Sequence, residues 1–148
     1  MQIKIENIKI NSIYKLLHEL PLKGKQSRHR TKFIKLLSKH LEEVAEDEQA
    51  LIKEHSHLDE NENPKKTDDG QRWDIKDMDA FVKDRTELLK EEFVVDGGNV
   101  TGMLKTVKKI LEDLDMELSG EQGDIYDYLL DQFEAAEEET DKETEEEV

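Results

Sequence analysis

His55 and His57, with Asp59 and Glu60 close behind, are the residues of this chain that come nearest to a metal-ligand set. On a helix, side chains two positions apart point to different faces, whereas ligands four positions apart share one. The pair therefore does not converge, and no metal is expected. Asp59, Asn61 and Asn63 open like a calcium loop. Its sixth position is Pro64 where glycine is needed, and its twelfth is Gly70 where a bidentate Glu belongs. Gly97, Gly98 and Gly102 lack the spacing and the lysine of a phosphate-binding loop. With 38 Asp and Glu among 148 residues, no carboxylate pair singles itself out for acid–base work. Cysteine is absent, which removes thiolate chemistry and fits a reducing compartment. Neither an enzyme nor a cofactor-binding protein is expected.

The more informative group is cationic. Lys23, Lys25, Arg28, Arg30, Lys32, Lys35 and Lys39 follow one another with no acidic residue between them. On a helix starting near Ser27, Arg28, Lys32, Lys35 and Lys39 fall on one face, while Phe33, Ile34 and Leu37 point elsewhere. Such a face suits a carboxylate-rich surface or phosphate oxygens. It is also compatible with a solvated outer face, or with one paired to the chain's own carboxylates. No Tyr or Trp is interleaved for base stacking, and an acidic body opposes a long duplex, so a protein partner ranks ahead of nucleic acid. Trp73, the sole tryptophan, reads as an anchor for the helix that follows it, or as a binding hot spot.

The net charge of −16 is unevenly distributed. Residues 1–40 carry ten Lys or Arg against two Glu, whereas residues 134–148 carry nine Asp or Glu against one Lys. A local field can dominate one face of a molecule whose overall charge is opposite. Apolar residues make up only 34%, enough for a modest core. No run approaches the ~18 apolar residues of a membrane span. The N-terminal MQIKIENIKI alternates polar and apolar residues rather than forming a signal peptide. A soluble cytoplasmic protein is expected.

These side chains need elements to position them. Ile3 and Ile5 alternate as in a short strand, and Asn11-Ser12 resembles the cap of a helix carrying Tyr14, Leu16, Leu17 and Leu20 up to Pro21. From Ser27, the positions Ile34, Leu37, Leu41, Val44, Glu48, Leu51, His55 and Leu58 step by threes and fours, predicting one long helix. Residues 59–72 are polar and read as a loop. A second helix is expected over residues 74–91, folding back on the first. Phe93-Val94-Val95 reads as a strand, ending in an Asp96-Gly97-Gly98-Asn99 turn and pairing with the N-terminal strand. Val100 to Leu114 trace a further helix face, and Ser119 with Gln122 forms a capping-box pair opening the last helix. The expected fold is mainly α: a long antiparallel helical hairpin plus two shorter helices, with a small two-stranded β-sheet. Residues 1–134 form a single helical domain, and 135–148 an acidic tail expected to be disordered.

Three segments carry a resemblance: Leu22 to Phe33, Phe93 to Asn99, and Ile125 to Phe133. Together they resemble a family of small uncharacterised proteins from phages and prophages of Gram-positive bacteria, over residues 1 to about 134. The resemblance implies a phage origin and carries over no activity, cofactor or catalytic residue. The expected function is a binding protein that engages a host protein, such as one of antiphage defence, through charged helical faces. A tail or virion assembly accessory is the alternative, and a homo-oligomer closing on the long seam stays open.

Overall fold

The computed structural model describes residues 1–96 and 98–146. Strand β1 (Gln2–Glu6) pairs antiparallel with β2 (Glu92–Asp96), setting Ile3 opposite Val95 and Ile5 opposite Phe93. Ile3 and Ile5 are sealed on the inner face, as their alternation predicts. Helix α1 (Asn7–His18) follows β1 without a loop. It begins four residues before the expected Asn11-Ser12 cap, because Ile10, Ile13 and Leu17 form one buried helical stripe. Asn7 fixes that start. Its backbone N–H donates to the Glu91 carbonyl at 2.8 Å and its side-chain amide to the Leu88 carbonyl at 2.9 Å.

Helix α2 (Gly24–His55) is the long helix that the seam predicts, but it opens at Gly24 rather than Ser27. Gly24 has φ +62°, a backbone conformation that glycine adopts without the penalty of a Cβ, and this turns the chain into the helix. Helix α3 (Met78–Lys90) runs back antiparallel along the second half of α2, with Arg85 bonded to Glu48 and Asp84 to His55. It starts four residues later than expected. Asp74 and Lys76 are held instead by backbone hydrogen bonds to His57 and His55, and Asp77 caps the helix by accepting from the Ala80 N–H at 3.2 Å. Ile75 therefore lies outside α3, and Leu58 lies past the end of α2 and is exposed. The connection between the two helices is ordered by backbone pairing, with bridges joining Ser56 to Ile75, Leu58 to Pro64 and Lys66 to Trp73.

Helix α4 (Gly98–Glu112) buries Met103, Leu104, Val107, Ile110 and Leu111. Of the expected turn before it, Gly97 lies outside the described residues and Gly98 is already helical. Helix α5 (Glu121–Glu146) buries Ile125, Leu129, Phe133 and Ala136. Ser119 and Gln122 do not bond to each other; the helix opens with the Asp124 N–H donating to the Gly120 carbonyl. α5 also runs on through the position where an acidic tail was expected to begin, which makes it longer than α1, α3 or α4. Glu147 and Val148 lie outside the described residues. One core unites both strands, α1, the first half of α2, α4 and α5. Val44, Ile52 and Leu88 are buried outside that core, along the α2–α3 arm. The architecture is thus mainly helical with a small two-stranded sheet.

Candidate binding face on the first half of helix α2

Phe33, Ile34 and Leu37 rotate one side of α2 into the core at 0%, 8% and 0% exposure. That burial forces the intervening cations outward. Lys23, Lys25, Arg28, Lys32, Lys35 and Lys39 are all exposed, and among the described residues none of them forms an ion pair. A basic side chain without a carboxylate partner keeps its full field at the surface. His29 registers that field. Burial pushes its imidazole below the usual range first, and the neighbouring Lys25, Lys32 and Arg28 push it further. The Thr106 hydroxyl donates to the Gly102 carbonyl at 3.1 Å, so the His29 Nδ1–H donates to Thr106 Oγ1 at 2.8 Å. That bond ties α2 to α4.

Arg30 has a different task from its neighbours. Its guanidinium donates to the carbonyls of Leu17 at 2.8 Å and Leu20 at 2.9 Å, with His18 at 3.4 Å. Leu17 and His18 end α1 and Leu20 lies just past it, and a cation there complements the negative end of the helix dipole. Arg30 thus locks α1 to α2, while the six other cations face solvent.

Trp73 is not part of this face. It is half-buried in the connection beyond the C-terminal end of α2, with the Lys66 ammonium 5.1 Å from its ring centre. The 32 residues of α2 span about 48 Å. Trp73 anchors the connection through its bridge to Lys66, five residues before α3 starts at Met78.

The acidic part of α5 lies against α4 rather than against the basic face. Glu137 pairs with Lys108, whose ammonium is stabilised chiefly by that hydrogen bond and held above its usual range. No ion pair joins α5 to Lys23–Lys39 among the described residues.

His55 and His57 are separated by the end of α2. His55 Nε2 lies 2.7 Å from Asp84 Oδ2, with the ring edge-on to Phe81, and Glu54 is near enough to make these three a potential ligand set. The sequence could not point to this grouping, since Asp84 lies 29 residues from His55 along the chain. The same holds for His40. It stacks on Phe93 at 4.0 Å and donates from Nε2 to Asn7 Oδ1 at 2.7 Å, joining α2 to the β1–α1 junction. Among the described residues, no helix is long and apolar enough to cross a membrane.

A family model described as Protein of unknown function (DUF1617) matches residues 1–140. No curated protein and no solved structure matches the chain.

Proposed function

We propose that this chain, which belongs to the DUF1617 family of proteins of unknown function, is a non-enzymatic binding protein that docks a partner's acidic surface onto the first half of α2. The reading rests on one observation: six exposed cations lie on one continuous stretch, without an ion pair among the described residues of a molecule that carries a net charge of −16. A protein with so large a surplus of carboxylates could readily have paired them. Exposed cations of this kind speed encounter with an acidic partner and reject basic ones. The resemblance noted above supports a phage or prophage origin. A host protein met in the cytoplasm, such as a defence factor, is then the partner class we favour over a virion component.

The test compares tagged wild-type protein as bait with two variants. One carries Arg28→Glu, Lys32→Glu, Lys35→Glu and Lys39→Glu. The other carries the same number of reversals at exposed Lys53, Lys65, Lys76 and Lys83 on the arm. Quantitative mass spectrometry should find host proteins enriched by the wild type and by the arm variant but lost with the α2 variant. Equal recovery by all three, or enrichment of virion proteins alone, overturns the reading. Binding to duplex DNA that weakens with salt and with the α2 reversals would assign the face to nucleic acid instead.

A further inference from the structure

The second half of α2 faces α3 across an open groove of about 450 Å³. Its floor is apolar, made by Ala50 and Leu51 of α2 and Leu88 of α3, and its walls are acidic, made by Asp47, Asp84, Glu87 and Glu91. On each helix these positions follow the three- and four-residue spacing of a single stripe. Two cross-links hold the helices at a fixed separation: His55 to Asp84 at 2.7 Å and Arg85 to Glu48 at 2.9 Å. Asp47, Glu87 and Glu91 are exposed and form no ion pair among the described residues.

We propose that this groove docks an amphipathic helix of a partner protein, bearing one apolar stripe flanked by Lys and Arg. Two antiparallel helices with an apolar seam between them accept a third helix that completes a three-helix layer, and its apolar stripe would cover exposed Ala50 and half-buried Leu51 beside the already buried Leu88. The acidic walls select what flanks that stripe. Basic residues on both sides would neutralise Asp47 on one wall and Glu87 and Glu91 on the other. Phosphate-bearing ligands are repelled by the same walls. A second copy of this chain does not supply the occupant, because its basic helical stretch has Phe33, Ile34 and Leu37 buried in its own core. The groove lies on a different half of α2 from the basic face, so either site can fail without the other.

The probe is a synthetic, fluorescently labelled helical peptide of about 15 residues, with leucines on one stripe and lysines on both flanks. A second peptide keeps every lysine and replaces the leucines with alanine. Both are titrated by anisotropy into the full-length protein at ~0.15 M salt, where long-range attraction is largely screened. Removing the wall charges with Asp47→Asn, Glu87→Gln and Glu91→Gln should weaken the leucine peptide about tenfold or more. The matched variant Glu138→Gln, Glu139→Gln and Glu143→Gln on α5 should change it less than about twofold. Ala50→Arg, at an exposed helical position in the floor, should abolish binding while the circular dichroism spectrum stays that of the wild type. Equal weakening by the two charge-removal variants would reduce the attraction to diffuse charge and overturn the proposal. So would equal affinity for the alanine peptide, or no binding of the leucine peptide at all.

Discussion

At the scale of single residues, half-buried His29 reports the field of the basic face. Its imidazole is held below 6.5 by burial first and by Lys25, Lys32 and Arg28 next. Because the folded state disfavours the protonated ring, the unfolded chain binds more protons once the pH falls below about 6.5. His29 therefore takes stability away as the pH drops from 6.5 towards its lowered value, and contributes no pH dependence above 6.5. Replacing Arg28 and Lys32 with Glu should raise the His29 midpoint, read from the imidazole proton shifts in an NMR titration. An unchanged midpoint would leave burial and Lys25 as the causes. Of these relations only the charges and their spacing were legible in the sequence. Helical spacing leaves Arg30 off the face shared by Arg28 and Lys32, but nothing in the sequence says which carbonyls it meets as it turns inward.

Between elements, that inward turn becomes a question of stability. Arg30 bonds the end of α1 from the first turns of α2, and charged hydrogen bonds of this kind contribute about 1.5–3 kcal/mol. Arg30→Ala should destabilise the fold by roughly that amount in urea denaturation, whereas exposed Arg28→Ala should stay within about 0.5 kcal/mol. Similar costs for both would remove Arg30 from its capping role. The elements themselves were largely readable, since the stripes of α2, α4 and α5 and the alternation of β1 come directly from apolar spacing. Their starts were less so. α1 begins early because Asn7 finds acceptors on α3, and α3 begins late because Asp74 and Lys76 pair with the end of α2. Each boundary was decided by a partner distant in the sequence.

For the whole molecule, the net charge of −16 makes self-repulsion a persistent load on the folded state. Exposed ion pairs such as Lys109 with Asp113 contribute at most about 1 kcal/mol each, so screening them loses little. Screening the excess of carboxylates gains more. The melting temperature should rise as sodium chloride is raised from about 0.01 to about 0.15 M, shortening the screening length from about 30 to 8 Å. A falling melting temperature would mean that the pairs outweigh the repulsion. The acidic end of α5 belongs to this scale. Read alone, its composition predicts disorder. In the fold, Phe133 and Ala136 are buried and Glu137 pairs with Lys108, so α5 carries the acidic stretch onward as helix.

Local spacing and charge order determined the mainly helical class, the two strands and the run of cations on α2, because these depend on residues within a turn or two of one another. The tertiary structure decided how that charge is used. It drew Arg30 inward, kept the acidic part of α5 on α4, left six cations exposed and opened an acid-walled groove between α2 and α3. All of these depend on which distant groups meet, and the periodicity of a chain does not specify that.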